Sequence, residues 1–213
     1  MKLNKLTKKF KSTSNLHHFF FPYTSQKLLG PSTTKYLDIL YFDLFKKLNI
    51  QSLVECGAYE ASGSIEAIKR GCNAYAIEAN PNTFKKITPK SNGKLTSMNI
   101  GLSDKPGYLN FYFPKKNNTE VSSTFQKKEG TEYDTIKVLT QTLDSVIKKF
   151  DIISNPYTLW IDVEGFQKQV LFGAKKILAD KNCKLIKIEV EEIEKFKGQS
   201  FLSEDIESFL RDY

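Results

Sequence analysis

Histidine is almost absent from this 213-residue chain: His17 and His18 stand side by side near the N-terminus, away from every later motif. Chemistry in the body of the chain is therefore expected to proceed without a histidine base. Cysteine is also sparse. Cys56, Cys72 and Cys183 are odd in number, lack C-x-x-C spacing and have no histidine nearby, so they suggest neither a disulfide framework nor a zinc site. Long apolar runs are missing as well: LDILYF and YTLWI fall far short of the roughly 18 apolar residues of a membrane span. The N-terminal run HHFFFPY is short, is interrupted by proline and fits a secretory signal poorly, so a cytoplasmic location is expected.

Acidic residues are absent until Asp38. Lys2, Lys5, Lys8, Lys9, Lys11, Lys27 and Lys35 come before it and supply +7 of a net charge of +8. Such an arm is either a solvated tail or a source of weak, screened contact with phosphates or anionic lipid headgroups. A nucleic-acid partner is not the favoured expectation. With 40% hydrophobic and 26% charged residues, the remainder suits one globular domain. The expected organisation is a basic arm over 1–35 and a single domain over 36–213.

Apolar residues recur at three- and four-residue spacing from Tyr36 to Leu48, which predicts a helix. SLVEC then reads as a strand closing on Gly57, and Ser62 to Arg70 as a helix ending at Gly71. The pattern repeats with a strand from Asn73 to Ile77 and a helix from Asn80–Pro81 to about Ile87, followed by a strand from Lys94 to Ile100. Alternating strands and helices imply right-handed crossovers and a mostly parallel, Rossmann-like α/β sheet. GYLNFYF and TIKVLT alternate apolar and polar residues around a long polar stretch, predicting an inserted antiparallel hairpin. A helix over Thr142–Phe150, a strand over Tyr157–Ile161, a helix over Phe166–Leu178, a strand over Lys184–Val190 and a helix over Ser203–Arg211 complete the reading.

Chemistry is expected where strands of such a sheet end. In LVECGAYEASGSI, Gly57 and Ala58 form the first βα turn, where a backbone without bulk lets a ligand approach. The dinucleotide fingerprint G-x-G-x-x-G fails, since Tyr59 and Ser62 stand where its second and third glycines belong. This counts against a nicotinamide-dependent oxidoreductase. Glu55 can reach the amino-acid part of a ligand, or can be a strand-end carboxylate facing solvent. Glu78 lies 23 residues after Glu55, close to the offset at which an acid meets a ribose; the alternative is interaction with the following helix dipole. In IDVEG, Asp162 and Glu164 fall on the same side of an extended segment, and Gly165 permits a sharp exit. They can act on a ligand, or Asp162 can simply order loops or cap the next helix. Glu189 and Glu191 can join them, which would make a metal site conceivable. Trp160 and the Phe111–Phe113 run are read as core and surface alternation.

ECGAYEASGS, EANPNTF, NIGLSD, TLD and LWIDVEGFQKQVLFGA, in this order from about Ser52 to Glu191, resemble the motif series of the FkbM family of methyltransferases. The first motif departs from the family pattern: Glu55 replaces a commoner aspartate, Tyr59 an asparagine and Ala61 a second glycine. The resemblance implies a class I methyltransferase fold and S-adenosyl-L-methionine as cofactor. It places Glu55, Gly57, Ala58, Glu78, Ala79, Asn80, Asn99, Gly101 and Asp162 around that cofactor, with Asn99 near the adenine. Asp162 and Glu164 become the candidate catalytic pair, acting as base or orienting group, with no metal assigned. The implied reaction is O-methylation of a hydroxyl on a sugar or other small metabolite. Ser122 and Ser123 match a serine-containing segment of the family's inserted loop, which would cover the acceptor, unless they are linker serines.

Two competing readings remain at this level: a noncatalytic binding module using its basic arm on nucleic acid or a membrane surface, and the oxidoreductase already weakened. The family sheet calls for two further strands after Lys184–Val190, and none remain in the sequence. That strand is expected to be an exposed edge, consistent either with truncation or with pairing to a second copy as a homodimer.

Overall fold

The computed structural model describes residues 18–19, 32–87, 93–114 and 132–213. Ser122, Ser123 and the arm lysines from Lys2 to Lys27 lie outside them. The strands are β1 (His18–Phe19), β2 (Ser52–Cys56), β3 (Asn73–Ile77), β4 (Leu95–Met98), β5 (Gly101–Leu102), β6 (Gly107–Pro114), β7 (Tyr133–Gln141), β8 (Tyr157–Ile161) and β9 (Cys183–Ile188). The helices are α1 (Ser32–Lys47), α2 (Ser62–Lys69), α3 (Pro81–Phe84), α4 (Leu143–Lys149), α5 (Gln167–Phe172), α6 (Lys175–Leu178) and α7 (Ser203–Leu210).

The main sheet has the order β1-β9-β8-β2-β3-β4, with every pairing parallel. Each residue of β2 is buried, as expected for a central strand covered on both faces. Alternation along β2 divides the core: Leu53 packs with Tyr41, Phe42 and Phe45 of α1, whereas Val54 and Cys56 join Leu143, Ile147, Leu171 and Leu178 from the opposite layer. On the α1 side Trp160 is only half-buried, packing edge-on to Tyr41 with 5.6 Å between ring centroids. The chain runs outward from β2 through β3 to β4, then returns to place β8 on the other side of β2. The β2–β8 boundary is thus the topological switch point, where ligands of open α/β sheets bind.

The predicted hairpin is present. β6 and β7 pair antiparallel, and β5 adds to β7 in parallel to make a separate three-stranded sheet. Other boundaries moved for reasons beyond local sequence. The helix expected over Phe166–Leu178 is broken into α5 and α6 at Gly173, where a Cβ would collide with the backbone oxygen of Ser103. α1 begins at Ser32, four residues before its apolar periodicity starts, and α3 is a single turn ending at Phe84. The edge expected to lie open on β9 is met at Leu185 and Ile186 by β1, from within the arm.

Candidate functional site

The carboxyl ends of four adjacent strands form one wall of a cavity of about 370 Å³, within the size range of small-molecule sites. Strand order fixes the sequence of groups along that wall: Asp162 follows β8, Gly57 follows β2, Glu78 follows β3, and Ile100 and Gly101 follow β4. Neighbouring strands are separated by about 4.8 Å, so these four ends span roughly 14 Å. The inner face of the hairpin supplies the facing wall. Leu109 pairs with Val138 across it, and these residues line the cavity together with Phe111 and Thr140.

Gly57 allows β2 and β8 to close the floor. Its φ of 79° is left-handed, and a Cβ there would strike the backbone oxygen of Asp162. The amides of Gly57 and Ala58 both donate to the carbonyl of Ile77, at 2.9 and 3.0 Å, which pins the turn to the end of β3. Ala58 is buried but does not line the cavity, whereas Tyr59 does.

Glu78 lines the cavity while only 7% exposed. Its Oε2 accepts from the Tyr59 amide and its Oε1 from the Asn80 amide, both at 2.8 Å. Burial raises its pKa, against the opposing effect of backbone N–H groups led by Asn80. Each oxygen retains a lone pair for a ligand hydroxyl. Ala79 continues the lining, and Asn80 caps α3 by accepting from the Asn82 amide at 2.9 Å. Asn99 acts behind the wall: its Nδ2 donates to the carbonyls of Glu78 and Ala79, at 2.8 and 3.1 Å. Gly101 lines the cavity directly, and a Cβ there would press on Thr140 at 3.2 Å.

Glu55 is placed differently. Its carboxylate accepts from the amides of Gly63 and Ser64 and from the Ser64 hydroxyl, at 3.0, 2.8 and 2.6 Å, and it does not line the cavity. It binds the start of α2, satisfying helix-end donors that otherwise lack partners. Burial pushes its pKa up, while Ser64 opposes the shift.

At the other end, Asp162 and Glu164 both line the cavity. Glu164 has a left-handed φ of 47° and Gly165 one of 88°, so the chain turns sharply into α5. Glu189, just past β9, completes a group in which one oxygen from each of Asp162, Glu164 and Glu189 lies within 4.8 Å of the others. That spacing would admit a hard divalent cation. Burial raises the Asp162 pKa to about 8, with further contributions from a hydrogen bond to Glu189 and from the charges of Glu189 and Glu164; Lys187 acts the other way. Lys187 lies over the Trp160 ring and is paired with Asp38 of α1 at 2.5 Å. Glu191 is drawn aside, accepting from Gln199 at 2.9 Å and Gln167 at 3.4 Å.

Sequence reasoning did not single out the hairpin's inner residues or Thr83 as cavity lining. The alternation in GYLNFYF carried the signal for Leu109 and Phe111, but only the register shows that this face meets the strand ends. Among the described residues, no helix is long and apolar enough to cross a membrane.

Residues 55–213 match the family described as the methyltransferase FkbM domain. The hexuronic acid methyltransferase AglP of Haloferax volcanii is 25% identical over 147 residues, covering 66% of this chain and 59% of that protein. The chain thus spans about three fifths of the length of that relative. No solved structure matches it. The family match covers most of the chain and includes the β2, β3 and β8 ends that build the cavity: the chain belongs to the FkbM methyltransferase domain family.

Proposed function

We propose that this domain is an S-adenosylmethionine-dependent O-methyltransferase acting on a hydroxyl of a sugar or other small metabolite. The observation that carries the reading is the cavity across four strand ends, with Glu78 near its middle and Asp162 at one end. A nucleoside joined to a short amino-acid chain suits that linear arrangement. Gly57 gives it backbone access, Glu78 offers two oxygens to ribose hydroxyls, and Ile100, Gly101 and Leu102 offer an apolar slot for a base. S-adenosylmethionine, when bound, supplies an electrophilic methyl group.

The protein's part is then positioning and proton transfer. Holding the acceptor hydroxyl in line with the methyl carbon removes much of the entropic barrier. Asp162 receives the hydroxyl proton, adding about 10²–10⁴-fold to the rate. Its pKa near 8 makes its ionised form a stronger base than an ordinary aspartate, while leaving part of it ionised at neutral pH. Glu164 and Glu189 tune and orient it. The AglP likeness supports a sugar acceptor, and the cytoplasm is the proposed location.

The test is transfer of a labelled methyl group from S-adenosylmethionine to a panel of neutral sugars, uronic acids and simple alcohols. Label should enter a hydroxyl of at least one sugar. Asp162→Asn should remove turnover yet retain S-adenosylhomocysteine binding; unchanged turnover in that variant would remove the assigned role.

A further inference from the structure

Four buried side-chain polar atoms among the described residues have no hydrogen-bond partner: Thr83 Oγ1, Gln167 Oε1, Gln169 Oε1 and Asp180 Oδ2. Only Thr83 belongs to a residue lining the cavity, and it is 1% exposed. A helical threonine commonly satisfies its hydroxyl on the carbonyl one turn earlier. Here Thr83 Oγ1 makes no such bond, and the carbonyl of Ala79 accepts from Asn99 Nδ2 at 3.1 Å. Leaving a buried hydroxyl unpaired is costly, so an orphan at a ligand cavity points to a partner supplied by the ligand.

Its place on the wall identifies which part of the ligand. Thr83 lies in α3, which follows Glu78, Ala79 and Asn80 in the connection from β3 to β4, and it lines the cavity together with Ile100 and Gly101. Asp162 lies in the opposite direction, across β2. If Glu78 holds a ribose, the group extending past it toward Thr83, Ile100 and Gly101 is the base. Resting on the S-adenosylmethionine reading above, we propose that the Thr83 hydroxyl hydrogen-bonds a polar edge atom of the adenine and so helps select the nucleobase. A hydroxyl can donate or accept, so it can serve either a ring nitrogen or the exocyclic amine.

Calorimetric titration with S-adenosylhomocysteine, comparing wild type, Thr83→Val and Thr83→Ser, tests the assignment alongside melting of the ligand-free proteins. Valine keeps the shape and removes the hydroxyl; affinity should fall about tenfold, the size of one lost hydrogen bond. Serine should stay close to wild type. Ligand-free Thr83→Val should melt at or above the wild-type temperature, because a methyl group replaces an unpaired hydroxyl. Equal affinity of wild type and Thr83→Val would overturn this assignment alone, and a lower melting temperature for ligand-free Thr83→Val would overturn it by revealing a partner within the protein. Absence of binding to wild type would instead overturn the cofactor reading, and this inference with it.

Discussion

Glu55 and Glu78 stand at the ends of neighbouring parallel strands, both are buried, and burial raises the pKa of each. Their surroundings divide their work. Glu55 uses its carboxylate on Gly63 and Ser64 at the start of α2, whereas Glu78 accepts one amide per oxygen and lines the cavity. An acid at a strand end is thus a position of opportunity. Whether it serves helix or ligand depends on which donors the next turn brings back.

The strongest way to break the comparison is to remove the turn beneath both acids. Gly57→Ala places a Cβ against the backbone of Asp162 at a left-handed φ, and should prevent folding or lower the melting temperature severely. A soluble Gly57→Ala protein with the wild-type circular dichroism melt would show that the turn relaxes freely. Glu55→Ala comes next: it leaves buried donors at α2 unpaired and should cost roughly 1–3 kcal/mol in denaturant unfolding. Its residual folded protein should bind S-adenosylhomocysteine almost normally, and a selective loss of binding at full stability would erase the distinction from Glu78.

A further expected effect is a pH dependence at Asp162. Its pKa in the folded protein is raised to about 8 from an ordinary 3.8, so the native state binds the proton more tightly than the unfolded chain. Stability should therefore fall as pH rises between those two values and level off above the higher one. In Asp162→Asn that slope should be reduced, as read from denaturation midpoints across the range. A slope identical to wild type would assign the titration to other groups.

Much of the scaffold was legible because it is local. The β2, β3 and β8 ranges, the cap at Asn80 and the carboxylate pair in IDVEG follow from alternation, turn chemistry and motif order. What stayed hidden depends on distant contacts. Gly173 breaks a helix because Ser103 lies against it, and Phe111 changes from core filler to cavity wall through the placement of the hairpin. Glu55 looked like a cofactor ligand because its spacing from Gly57 was right; the Ser64 hydroxyl that engages it lies nine residues away. Thr83 sits inside the EANPNTF motif without a role that spacing or residue type assigns, and its unpaired hydroxyl in the cavity wall is what distinguishes it.

The proposed function requires that the cavity around Glu78 hold the nucleoside part of S-adenosylmethionine. Titrating wild type and Glu78→Ala with S-adenosylhomocysteine by calorimetry tests it most directly. Saturable binding to wild type is expected, with loss of that binding in Glu78→Ala while the variant stays folded. No binding to wild type, or equal binding to both proteins, would contradict it.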